Sequence, residues 1–391
     1  MMNQTSKKFV YDVWLYLILI LFFVPFLGDL GKTVFMPLGK FYYSIIFIFC
    51  FVNFVCRYFF NEKLINGIFY APKSKKSLYY LVFFAVILSF ILCVLVNRAI
   101  DNFLYFVILV GFFVFFITYK YTSKNLVVIS LLGSILLLLV FVFSSFKKFE
   151  YFNPNSYAEI ATVLFLLTNV NHKRTAESRI LFFINLIVAV YTAEFIYGSE
   201  TQLLAIVFFV FLVAMRRFIL KTPKRCKVVV LFVWAFVVAL PFISYILISK
   251  NVLDLDIFTN RGERWFDSIN SIREFGIFSS GMTVPGSHNG FLDLCVKYTF
   301  FGAIIYVVIM IAVIWRNSRY IVKNDSVTVI LCAVLSIVLM NSVESLFVGL
   351  TDSYFLLIFM GMLVSLSLNE KHKEGEMQIY CDEITCEKCY I

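Results

Sequence analysis

Residues 125–145 read NLVVISLLGSILLLLVFVFSS, a run without one charged side chain, bracketed by Lys120 and Lys124 before it and by Lys147 and Lys148 after it. About 20 such residues are what an α-helix needs to cross the ~30 Å hydrocarbon core of a bilayer. The run is apolar on every side and offers no polar face to water. Stretches of the same kind recur near 12–30, 40–60, 78–96, 103–119, 156–170, 180–198, 201–216, 227–249, 291–315, 326–343 and 351–368. They make about twelve candidate spans, of which 156–170 and 201–216 are short for the thickness to be crossed. Backbone polar groups at membrane depth must be bonded within their own segment, which leaves helices as the available elements. The expectation is an all-α polytopic membrane protein, with one membrane domain over residues 1–368 and a polar tail over 369–391.

Composition agrees. Of 391 residues, 61% are hydrophobic, 15% are charged and 48 are Phe, and the mean hydropathy is +0.90. Soluble domains carry about 25% charged residues. The first apolar run follows Lys7 and Lys8 but precedes no small-residue cleavage site, so it reads as a retained helix rather than a leader.

The net charge of +10 is a topology signal rather than a nucleic-acid footprint. With the N-terminus in the cytoplasm, roughly 24 of the 34 Lys and Arg fall in inside segments, the bias that the positive-inside rule requires. Both termini are then cytoplasmic, and the basic loops meet anionic lipid headgroups. None of the nine Cys lies in a segment placed outside, so no disulfide framework is expected. Cys381, Cys386 and Cys389 supply three thiols and no following His, which is short of a zinc site.

One long polar segment interrupts the spans, residues 250–290 between the ninth and tenth, on the outside by the charge argument. Its stretch 261–275, RGERWFDSINSIREF, puts Trp265, Phe266, Ile269, Ile272 and Phe275 on one stripe. Asn260 followed by Glu263 resembles a capping box. These features predict an amphipathic helix lying on the outer leaflet with Trp and Phe at headgroup level. Residues 276–294, GIFSSGMTVPGSHNGFLDL, are rich in turn formers and carry His288, the one outside histidine of three. Arginines clamp phosphate oxygens, amides in tight turns add anion contacts, and imidazole exchanges a proton near neutral pH.

Arg261-x-x-x-Trp265, then Phe278-x-x-Gly281, then His288-Asn289-x-Phe291-Leu292, then Phe301-Gly302 together resemble the O-antigen polymerase/ligase superfamily. Asn153-Pro154-Asn155-x-x-Ala158 is similar to that family's NPN start of a membrane helix. The pattern departs at Gly198-Ser199-Glu200-Thr201, where many members have Ser-Arg-Gly, and Arg98 is the candidate substitute for the missing Arg. The resemblance implies an integral-membrane, inverting glycosyltransferase acting on the outer face of the cytoplasmic membrane. Donor and acceptor are then glycans on polyprenyl diphosphate, and neither cofactor nor metal is implied. Further polysaccharide-assembly proteins are expected partners.

In that reading Arg261, with Arg264 second, offsets the charge of the departing diphosphate. His288 is either the base for the acceptor hydroxyl or a diphosphate contact. Asn289 orients the imidazole or the sugar, and Trp265 lines the substrate. Glu159, close behind the NPN motif, either reaches an outward cavity or makes a structural pair. Asp254-x-Asp256 is short enough to be ordinary loop carboxylates, and Asp293 and Lys297 are spaced for an i,i+4 pair. Three rival functions stay open: ligation of a finished glycan to another acceptor, transport of a lipid-linked oligosaccharide or small molecule, and a structural scaffold in a polysaccharide assembly complex. A transporter is expected to keep its polar groups near the bilayer midplane in broken helices, whereas this chain concentrates them in a segment read as external.

Overall fold

The computed structural model describes residues 4–24, 46, 50, 91, 100, 113, 115–146, 154–171, 175–255, 257–276, 287–343 and 355–370. Most of these residues are helical, and no strand of more than a single bridge residue occurs among them. In chain order the helices are α1 (Gln4–Phe23), α2 (Ser123–Phe146), α3 (Pro154–Thr168) and α4 (Ala176–Val190). The chain continues from α4 into a π-helical turn (Tyr191–Ile196), then α5 (Glu200–Ile219) and α6 (Pro223–Ser249). It goes on through α7 (Ile257–Phe275), α8 (Gly290–Ile321), α9 (Asp325–Met340) and α10 (Phe355–Glu370).

The helices begin where the sequence supplies caps. Thr175 accepts from Ser178 N, Thr222 accepts from Arg225 N with Pro223 in the first turn, and Asn324 accepts from Ser326 N and Val327 N. Each such cap contributes about 1 kcal/mol. Pro154 opens α3, where its missing N–H costs nothing.

Five of the described helices are long and apolar enough to cross a membrane: Ser123–Ser145, Ala176–Ile196, Glu200–Ile219, Pro223–Ser249 and Tyr298–Ile321. Tyr11–Phe23, Ser156–Thr168, Asp325–Met340 and Phe355–Glu370 are shorter apolar helices. The expected spans at 40–60, 78–96 and 103–119 lie wholly or mainly outside the described residues, as does most of the tail with its three cysteines. The exposed faces are what mark the protein as membrane-embedded. Phe195 is 73% exposed and Phe232 70%, and Ile187, Phe211 and Phe218 also face outward from α4, α5 and the π turn or α6 beside them. Water would not tolerate so continuous an apolar surface.

α2 packs on α3, α5 on α9, and α6 on both α7 and α8. α2 approaches α3 at Gly133, where an added Cβ would lie 3.1 Å from Thr168 N. α8 runs antiparallel to α6: Phe300 meets Phe242, and Trp315 Nε1 donates to the Lys227 carbonyl at 3.1 Å. Polar ties gather at one end of the bundle. Arg216 pairs with Asp325 at 3.3 Å, Asn324 Nδ2 donates to Glu370 at 3.1 Å, and Asn369 Nδ2 donates to the Tyr121 carbonyl at 3.3 Å. The basic segments around Lys124, Arg216, Lys227 and Lys323 therefore share an end, the arrangement that charge bias requires of loops on one side.

The π turn closes α4 with Gly198 in the left-handed region at φ 62°, its N–H bonded to the Glu194 carbonyl at 2.9 Å. Tyr197 then stacks on Tyr157 of α3 at 5.5 Å and donates to Ser144 Oγ of α2 at 2.7 Å.

Candidate functional site

The sequence around His288 folds into a compact polar knot at the head of α8. Asn289 caps the helix: its Oδ1 accepts from Phe291 N at 3.1 Å and from Leu292 N at 3.0 Å. Its Nδ2 donates to the Ser342 carbonyl at 2.8 Å and reaches the Val237 carbonyl at 3.5 Å. The second contact has a cause four residues on. Pro241 lies inside α6 and has no N–H, so the Val237 carbonyl has lost its helical donor. Gly290 N donates to the Asn341 carbonyl at 2.8 Å, which fixes the same segment to the end of α9.

Ser287 locks the other side. Its N–H donates to Asp293 Oδ1 at 2.8 Å and its Oγ accepts from Asn289 N at 3.1 Å. The one hydroxyl proton has two acceptors in reach, Asp293 Oδ1 at 2.8 Å and the Asn289 carbonyl at 3.0 Å. His288 stands between these two buried residues with φ 53°. The left-handed region is uncommon outside Gly, although His visits it more than most. Flanking hydrogen bonds hold the backbone there, and the His288 side chain stays partly exposed while its neighbours are buried.

This knot is deep. Val237 sits near the midpoint of the 27-residue α6, and the twelve residues from it to Ser249 correspond to about 18 Å of helix. α8 is also not one straight rod. Thr299 has φ 77° and ψ 157°, and its Oγ1 accepts from Gly302 N at 3.1 Å, capping a second helical half. Phe291 and Phe300 both meet Phe242, at 6.2 and 6.3 Å, and each other at 6.1 Å. The first half of α8 therefore folds across α6 instead of continuing along it. Ser287 to Gly290, the last residues of the segment read as external, pack among α6, α8 and α9.

α7 forms where the amphipathic stripe predicts, but it starts at Ile257, so Asn260 lies inside the first turn and is not a cap. The stripe faces protein, not headgroups. Trp265 is 0% exposed, and Ile269 and Ile272 are buried with it. α7 packs on α6 and α8. Tyr245 of α6 stacks on Phe266 at 4.9 Å, donates to Asn270 Oδ1 at 2.9 Å and accepts from Arg273 Nη1 at 2.7 Å. An apolar stripe suits a lipid surface and a protein surface equally, and here neighbouring helices cover it. Arg261 is half-buried and Arg264 exposed, one turn apart on α7.

The other expected residues separate. Asn289 is 0% exposed with its amide committed to structural bonds, so it supports His288 through the backbone and does not present a group to substrate. Glu159 is buried in α3, whose principal neighbours among the described helices are α2, α4 with its π turn, and α5. It belongs to another part of the bundle. Glu200 is exposed in the first turn of α5, where a carboxylate suits the helix dipole. Arg98, Asp256, Phe278, Gly281 and the Lys297 side chain lie outside the described residues. No group of three or more His, Cys, Asp or Glu able to hold a metal occurs among the described residues.

Sequence reading missed Ser287, Asn341, Ser342 and the role of Asp293. Pro241 inside an apolar helix was the one signal available, because it implies an acceptor at position 237 in need of a donor. No protein-family model matches the chain, and no curated protein matches it.

Proposed function

We propose that the protein polymerises polyprenyl-diphosphate-linked oligosaccharide repeat units at the outer face of the cytoplasmic membrane. The observation that carries this reading is His288, partly exposed on a left-handed backbone between two buried, hydrogen-bonded residues, with the arginine-bearing α7 packed against the same helix. Strain held at one residue by its surroundings is characteristic of working sites. The ordered resemblance from Asn153 to Gly302 supplies the reaction class.

In the reaction a sugar hydroxyl of one lipid-linked unit attacks the anomeric carbon of another. The new C–O bond forms as the bond from that carbon to the diphosphate oxygen breaks. The hydroxyl proton passes to the His288 imidazole, and the leaving diphosphate carries away the electron pair. Base assistance of this kind contributes about 10²–10⁴-fold in rate. Arg261, seconded by Arg264, meets the diphosphate; one cation at about 4 Å attracts one anion by roughly 4 kcal/mol before desolvation at an effective dielectric near 20. The polyprenyl diphosphate is already a good leaving group, so charge stabilisation matters more than acid catalysis.

Purified protein incubated with lipid-linked repeat units is expected to give a ladder of products on a gel. His288→Ala and Arg261→Ala are each expected to abolish the ladder while the protein remains in the membrane; wild-type chain lengths in both refute the site. A single conjugate with a separate acceptor indicates ligation instead.

One observation favours a second reading. α8 is broken at Thr299 and the knot before it is tied to the middle of α6, which is the placement expected of a transporter of lipid-linked oligosaccharide. Substrate binding with no covalent product supports transport over transfer.

A further inference from the structure

The knot leaves two buried oxygens without donors among the described residues. Asp293 is 7% exposed, and its Oδ1 takes both Ser287 donors, yet its Oδ2 meets none. Asn341 is fully buried; its Nδ2 donates to the Ile337 carbonyl at 2.7 Å, and its Oδ1 also meets no donor. The two residues sit on segments that touch. Gly290 N bonds the Asn341 carbonyl and Asn289 Nδ2 bonds the Ser342 carbonyl, each at 2.8 Å. Asp293 is one turn on from Gly290 and Asn289, on the same face of α8.

Bare buried acceptors are costly, a carboxylate oxygen most of all. Beside them Ser287 Oγ and both side-chain polar atoms of Asn289 are bonded. Among the described residues no donor reaches either oxygen. Two acceptors and a negative charge repel a diphosphate and suit neutral groups that bring O–H.

We propose that Asp293 Oδ2 and Asn341 Oδ1 form an acceptor-only subsite for hydroxyls of the sugar that carries the attacking group. This rests on the glycosyl-transfer reading and divides the site by charge, with anion on α7 and sugar hydroxyls between α8 and α9. Asp293 receives a hydroxyl adjacent to the nucleophile on the same ring. That hydroxyl keeps its proton, while the attacking one gives its proton to His288.

The test pairs a near-isosteric variant with substrate analogues. D293N retains an oxygen for the two Ser287 donors and turns the bare acceptor into a donor. Wild type is expected to slow at least tenfold on acceptor units lacking the one hydroxyl next to the linkage position. D293N is expected to slow tenfold on the full acceptor and to lose little more on the deoxy one. Wild-type turnover by D293N, or an equal penalty from the deoxy acceptor in both proteins, overturns the subsite. If D293N does not fold, the substrate series on wild type decides alone: indifference to every single-hydroxyl deletion overturns it. If wild type makes no covalent product, glycosyl transfer fails as a reading. The subsite is then judged by thermal stabilisation of the detergent-solubilised protein with lipid-linked repeat units. Stabilisation in wild type that is lost in D293N upholds it; none, or equal stabilisation in both, overturns it.

Discussion

At the scale of single residues, His288 and Asn289 stand side by side and do opposite things. The left-handed backbone of His288 works against stability, since a side chain there costs about 1–2 kcal/mol that Gly would not. His288→Gly is expected to raise the unfolding free energy by about 1 kcal/mol while removing polymer, measured by thermal melts and product gels on the same preparation. Asn289→Ala goes the other way. It loses a cap worth about 1 kcal/mol and strands two buried carbonyls, so a loss of about 2–3 kcal/mol is expected, read as a lower melting temperature. His288 was legible in the sequence as a chemical group. Asn289 was misread because capping depends on where α8 begins, and a residue type does not carry that information. Asp293 is spaced for a pair with Lys297, whose side chain lies outside the described residues, and its Oδ1 also takes the donors of Ser287, six residues earlier.

At the scale of elements, hydrophobic periodicity located α2 to α10 within a few residues and left their breaks unseen. Thr299 interrupts α8 inside an apolar run whose composition does not change. α7 shows the same limit: the stripe of Trp265, Ile269 and Ile272 was plain, but not which surface would cover it. Close helix contact is a third feature that periodicity hides. A Cβ added at Gly361 of α10 would collide with Phe116 Cβ and come within 3.2 Å of the Phe116 backbone. Gly361→Ala is expected to destabilise by about 1–3 kcal/mol, the range for overfilled packing, and to lower the yield of folded protein in size-exclusion chromatography.

At the scale of the whole molecule, charge bias gave a topology that the contacts let us phrase as an accessibility test. Lys221 and Asn251 are exposed at the two ends of α6, and the helix between them is long enough to cross a bilayer. In a background without native cysteines, an impermeant thiol reagent is expected to label Asn251→Cys in intact cells. It is expected to label Lys221→Cys only after the cells are opened. Labelling of both, or the reverse pattern, turns the membrane orientation over and removes the polymer chemistry from the outer face.

The π turn over Tyr191–Ile196 sets a numerical constraint on this chain. Excising one residue there would regularise the helix, and everything after it would swing by about 100° around the axis. Tyr197 would swing away from Tyr157 and Ser144. Descendants of this protein are therefore held to the length of that turn.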